Sequence, residues 1–353
     1  MSLTLYVDGA RLRDHLTAVA ERVHDLVPVA RGNGSGLGNS RLALEAQRLG
    51  VDVLAVGTAD ECSQVAGLYD GDLLVLEPWR PFAPVAAAAP ERVIHTVSRL
   101  DDLHALLDAE PRARLLLARM TSTRLHGLSG RDLRAAAHEL ERRGVGTPDG
   151  PTLEGVLLSF PLSGGGRLTE LHRLAQDVLV SGLPTRTFWV ASLAEAEVLA
   201  AHGAWPELHV RPLLGDELWL GDTDAITVRA HVLDAHRLER GSTFGEQGRT
   251  LPRRGHLLVV SGGLAHGIGL EPPTSDLSLK ARATSLARGS LDAAGLVRSP
   301  YVVDGKQRYF AEPPHSQSSV VFLPEETHVP AIGDEVELRV RLETTSFDRT
   351  VVS

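Results

Sequence analysis

Lysine is almost absent from this chain. Of its 36 basic side chains only Lys280 and Lys306 are lysines, so any chemistry that needs an amine nucleophile has two side chains to draw on. Cysteine is scarcer still. Cys62 alone excludes an intrachain disulfide and a zinc site made of thiolates, and within a helical stretch it reads as a packing residue. No apolar run reaches the 18 or so residues of a membrane span, and no basic segment followed by an apolar one opens the chain, so a soluble, cytoplasmic protein with no membrane partner is expected. A basic excess is missing too. The formal charge of −9 argues against nucleic acid, whose phosphates call for a basic face. Histidine is plentiful, at 15, but His256, His266 and His315 offer no pair at i, i+4 on a helix, and no metal is expected.

What is present is enough apolar residue, 43% of 353, for a full core in one large domain or two modest ones. Short apolar runs alternate with helical spacings along the first two thirds. Val27–Ala30, Val51–Val56, Leu73–Leu76, Val93–Thr96, Leu115–Ala118, Gly155–Ser159, Thr187–Val190 and Leu208–Val210 read as strands. Between them Arg41–Leu49, Ala59–Ala66, Leu103–Leu107, Asp132–Arg143, Leu168–Ser181 and Leu193–His202 read as helices, and Asp14–Asp25 precedes the set. Repeated β–α units predict parallel strands, in a closed barrel or a doubly wound sheet.

The pattern changes near Asp222. Thr227–Leu233, His256–Ser261, Tyr301–Val303, Val320–Leu323 and Glu335–Thr344 read as antiparallel strands, with Asp304–Gly305 as a tight hairpin turn and Leu277–Arg288 as the one helical candidate. The expected division is residues 1–222 as an α/β barrel and 223–353 as a C-terminal β domain, with strand 3–7 free to join either.

Directly after the first barrel strand runs Val29-Ala30-Arg31-Gly32-Asn33-Gly34-Ser35-Gly36-Leu37-Gly38. Alone, such a loop either cradles a phosphate with its N–H groups or simply turns the chain sharply. Further segments follow in order: Thr121-Ser122-Thr123-Arg124-Leu125-His126-Gly127, Glu154–Phe160, His209-Val210-Arg211-Pro212, Gly241-Ser242-Thr243-Phe244-Gly245, Gly263-Leu264-Ala265-His266-Gly267 and Ile332-Gly333-Asp334-Glu335-Val336. Together they resemble, over nearly the whole chain, the alanine racemase family of fold-type III pyridoxal phosphate (PLP) enzymes. The resemblance implies a (β/α)8 barrel followed by a β domain, PLP as cofactor, and a head-to-tail homodimer in which one chain's β domain closes the other's barrel mouth.

The same resemblance implies losses. Arg31 stands where the family carries its Schiff-base lysine, Ser35 where it carries a phosphate-binding tyrosine, Ser159 where a histidine stacks on the pyridine ring, and Phe244 (or Thr243, shifted by one) where a tyrosine is the second base. A guanidinium stays protonated far above neutrality, so freeing a lone pair there costs roughly 8 kcal/mol against about 4.6 for lysine. It binds carboxylate or phosphate bidentately but forms no imine. Cofactor-binding positions carried over are Arg31, Asn33, Ser35, Ser159, Ser192 and Arg211. Arg211 is either the pyridine-nitrogen contact or a structural ion pair, and Ser192 either a phosphate ligand or a helix cap with Glu195. Ser163-Gly164-Gly165-Gly166 is an anion-holding or a plain βα loop. Phe244, His266, His315 and Gln317 are expected at the cleft with the partner subunit.

Three functions follow as expectations. One is a pseudoenzyme, without covalent PLP catalysis, that binds an amino acid, a phosphorylated compound or a partner chain. Another is an active amino-acid isomerase with non-covalent PLP or a rerouted base such as His266. The last is a non-catalytic subunit paired with an intact paralogue.

Overall fold

The computed structural model describes residues 2–83, 90–162, 164–251, 253–270 and 297–353. The helix read at Leu277–Arg288, with Lys280, and Ser163 lie outside the described residues. Two compact units divide the chain: Arg13–Gly221, and Met1–Leu12 with Asp222–Ser353. The chain opens with β1 (Leu3–Val7) and α1 (Gly9–Arg22), the helix carrying it from the second unit into the first.

The Arg13–Gly221 unit is a closed barrel of eight parallel strands: β2 (Val27–Ala30), β3 (Val53–Val56), β4 (Asp72–Pro78), β5 (Val93–Val97), β6 (Arg114–Ala118), β7 (Thr152–Ser159), β8 (Thr187–Ala191) and β9 (His209–Leu214). The helices are α2 (Asn39–Leu49), α3 (Ala59–Val65), α4 (Leu100–Ala109), α5 (Gly130–Arg142), α6 (Arg167–Leu179), α7 (Glu195–Ala204) and the single turn α8 (Asp216–Trp219). Val27 opposite Leu213 closes the ring. Strands buried on both faces need continuous apolar runs, as in Leu115-Leu116-Leu117. Leu116 and Ala118 join Val29, Ala55, Leu74, Ile94, Leu157 and Trp189 in one packed cluster, while Leu115 and Leu117 are buried outside it. One glycine is indispensable. Gly155 has φ +145°, and a Cβ there would sit 2.9 Å from the Trp189 ring, whose Nε1 donates to Glu154 O at 3.1 Å.

The other unit is a sheet, antiparallel except where β1 meets β18, made from β1, β10 (Ile226–Leu238), β13 (Gly255–Ser261), β14 (Arg298–Val303), β15 (Lys306–Phe310), β16 (Ser318–Pro324), β17 (Glu335–Leu338) and β18 (Arg349–Val352). The hairpin β11 (Thr243–Phe244) and β12 (Arg249–Thr250) stands apart. The long β10 pairs with both β17 and β13, so six strands form a ring. The strand at 3–7 joins this sheet, antiparallel to β10 and parallel to β18. The Asp304–Gly305 turn forms as read, with φ +56° and +68° between paired Val303 and Lys306. The strand read at Glu335–Thr344 is shorter than expected. It stops at Leu338, and Leu342–Thr344 form a 3-10 turn in which the Thr345 hydroxyl bonds to Arg341 O. Among the described residues no helix is long and apolar enough to cross a membrane.

Candidate active site

Parallel strands put all their C-terminal ends on one rim, where the βα loops of such barrels carry function. Arg31 follows β2 there, Ser159 ends β7 and Ser192 follows β8. Arg31 is exposed, and among the described residues its guanidinium meets no acceptor. Its loop is shaped by Gly34, at φ +61°, where a Cβ would meet Gly38 C at 2.5 Å, and by Asn33 Oδ1, which accepts from Gly36 N at 3.2 Å.

Three carboxylates that the sequence reading did not single out organise this rim. Glu61 accepts backbone N–H groups from Gly32 (2.7 Å), Gly57 (2.7 Å) and Thr58 (3.1 Å), joining the loops after β2 and β3. The Ser35 hydroxyl, 8% exposed and at φ +53°, donates to Asp216 Oδ1 at 2.6 Å. Glu217 accepts from Gly215 N at 3.2 Å. The signals were present, in Thr58-x-x-Glu61 as a capping pattern and in the acidic first turn of α8.

Other positions fall into structural roles. Arg211 is the third residue of β9. Its Nη2 lies 2.5 Å from Asp52 just before β3, and its guanidinium sits 4.3 Å from the Trp189 ring centroid, so its partner is at the start of a strand rather than on the rim. Ser159 is exposed, and its carbonyl accepts from Thr121 Oγ1 at 2.5 Å. Ser192 does not cap a helix with Glu195. The cap is Ala194, whose N–H donates to Glu197 at 2.9 Å, because the chain makes a left-handed step at Ser192 (φ +67°) and starts the helix three residues later, freeing Glu195 to pair with Arg22 at 2.8 Å. The glycines before α6 include its N-cap Gly166, at φ +84°. Cys62 is fully buried in α3, and burial, with the charge of Glu61 second, pushes its thiol up to about 11.

In the sheet unit, hydrogen bonds link the loops that carry Phe244, His266 and His315, and Gln317 is exposed. Phe244 packs on the apolar cluster of Leu251, Leu257 and Val320. The buried Glu312 ties its loop to His315, accepting from Glu246 N at 3.1 Å while its Oε1 lies 2.9 Å from His315 Nε2. Leu264 N donates to His315 O and Gly262 N to Gln317 O. His266 has both nitrogens engaged: Nδ1 accepts from Gly263 N at 3.2 Å and Nε2 meets Asp348 Oδ1 at 3.1 Å. Among the described residues no group of three or more His, Cys, Asp and Glu could hold a metal ion.

Comparison with known proteins follows this architecture. Residues 7–158 match the family described as alanine racemase, N-terminal domain. No curated protein sequence matches the chain. The alanine racemase of Bartonella henselae, solved with covalently bound pyridoxal phosphate, is 16% identical with a TM-score of 0.73, and all of both chains are covered. That of the D-cycloserine producer Streptomyces lavendulae is 19% identical with a TM-score of 0.72, covering 100% of this chain and 97% of its own. That of Oenococcus oeni is 18% identical with a TM-score of 0.70, covering 100% and 98%. The chain is therefore alanine racemase-like, by sequence over residues 7–158 and by fold, a (β/α)8 barrel with an antiparallel β domain, over its whole length.

Proposed function

We propose that this protein is a ligand-binding relative of the alanine racemases that carries out no covalent PLP chemistry. The observation that carries the reading is Arg31, an exposed guanidinium on the rim loop directly after the first barrel strand. It offers two parallel N–H donors to a ligand carboxylate and no nucleophilic lone pair. Of the two lysines, Lys306 opens β15 in the sheet unit, and Lys280 lies outside the described residues.

The residues present fit the cofactor poorly. The Ser35 hydroxyl is committed to Asp216, and Arg211 to Asp52 beneath Trp189. No step through PLP is derived from them. The racemase fold supports an amino-acid-related small molecule as ligand, and a head-to-tail homodimer is part of the proposal, checked by light scattering of the pure protein.

The test is a visible spectrum with and without added PLP, followed by borohydride. The expected result is no aldimine band and no fixed cofactor. A borohydride-fixed cofactor on either lysine overturns the reading. Arg31→Lys with Ser35→Tyr is expected to restore part of the absorbance.

Residual isomerase activity with a rerouted base is favoured by one observation. His315 keeps Nδ1 unpartnered among the described residues while Glu312 holds Nε2, whereas both nitrogens of His266 are used. That reading requires racemisation by the pure protein that His315→Ala abolishes, and no turnover across a panel of amino acids with added PLP removes it.

A further inference from the structure

Barrels of this kind commonly hold phosphate with the loops after the seventh and eighth strands and the N-terminus of a short extra helix. Those elements here are the loop at Ser192 after β8, Gly215 after β9, and α8. Two donors at this place already serve the chain's own carboxylates. The Gly215 N–H goes to Glu217 at 3.2 Å. The Ser35 hydroxyl, brought to the same place by the loop after β2, goes to Asp216 at 2.6 Å. Next to Arg31, Glu61 takes the N–H groups of Gly32, Gly57 and Thr58. Every backbone and hydroxyl donor just named points at a negative side chain of this chain.

We propose that this rim is self-ligated against phosphate: Asp216 and Glu217 occupy the phosphate position, so the class of ligand admitted carries no phosphate there. An incoming dianion would have to displace two carboxylates and then remain beside them, whereas a neutral or ammonium-bearing group meets no such repulsion. Arg31, away from these carboxylates in the bonding pattern, is left to receive a carboxylate. The inference deepens the ligand-binding reading above and rests on it for the place of the ligand. It is a disagreement between this chain's residues and a phosphorylated cofactor.

The test compares pyridoxine 5′-phosphate with pyridoxine by titration calorimetry, since neither alcohol can form an imine with a lysine. Wild type, Glu217→Gln and the double variant Asp216→Asn/Glu217→Gln are measured, each first shown by thermal unfolding to be folded. In wild type the phosphate is expected to add nothing to affinity. In the double variant the ratio of the two affinities is expected to shift at least tenfold toward the phosphorylated compound, about 1.4 kcal/mol. Wild type that already prefers the phosphorylated compound tenfold overturns the proposal. So does a folded double variant without a shift.

Where wild type binds neither compound, gain of phosphate-dependent binding in the variant supports the proposal and absence of gain overturns it. Where the double variant does not fold, Glu217→Gln alone decides by the direction of its shift, because its side chain is exposed and its one described bond is to Gly215 N. A covalent aldimine found in the borohydride experiment would sink the pseudoenzyme reading and leave this ratio unmoved, so the two failures are distinguishable.

Discussion

Arg211 and Asp52 stand 159 residues apart in sequence and 2.5 Å apart in space, the guanidinium 10% exposed and the carboxylate 68% exposed. The asymmetry makes a prediction. Asp52→Asn removes the countercharge of a buried cation that otherwise has only the Trp189 ring and is expected to cost about 2–3 kcal/mol by denaturant titration. Arg211→Met removes the charge along with the need for a partner and is expected to fall within about 1 kcal/mol of wild type. A neutral Asp52→Asn would mean that Arg211 is held by something else.

Glu139 gives the acid limb of stability. The bond from Arg142 holds its carboxyl far down, burial opposes this, and Arg143 and His104 add to the lowering, leaving it at about 2. An unfolded glutamate titrates near ~4.3, so this contribution is complete above that pH and is lost as pH falls toward about 2. Urea titrations across that window are expected to show a shallower pH slope in Glu139→Gln. An unchanged slope contradicts the assignment.

Cys62 is expected to resist disulfide reagents in the native protein at pH 8, because a buried thiol pushed up to about 11 presents almost no thiolate. Labelling should follow unfolding, and a fast native reaction counts against the packing role.

His266 and His315 should separate by stability. His266→Ala removes the acceptor for Gly263 N and the partner of Asp348, whose other oxygen holds Leu3 N at 2.8 Å, and is expected to cost about 1–3 kcal/mol in the sheet unit. His315→Ala, at a more open side chain with one described side-chain bond, is expected to cost less than His266→Ala, because Glu312 keeps the bond from Glu246 N. Thermal unfolding of the two variants gives the order.

Local patterning carried most of the architecture. Runs such as Leu115–Ala118 declare a strand buried on both faces, and Asp304–Gly305 declares a turn because both positions need positive φ. Glu335–Thr344 misled because its β-branched and alternating residues do not encode the side-chain bond from Thr345 to Arg341 O that accompanies the break. The site was less legible. Motif order pointed to the Arg31 loop, but the bond from Ser35 to Asp216 spans 181 residues, and only the closing of the barrel brings β2 beside β9. Ser192 misled for a local reason: spacing to Glu195 fits a cap, and the left-handed step at Ser192 moves the cap to Ala194.

The strand at Leu3–Val7 lies between β10 and β18, with Gly9 N donating to Ser353 O and Ser353 N to Val7 O. This strand must therefore wait for one made some 340 residues later before its second edge is covered. During synthesis the barrel can close while this ribbon is still half bare, and the nascent chain has a stretch of Leu-Thr-Leu-Tyr-Val for chaperones to shield until Arg349–Val352 has been made.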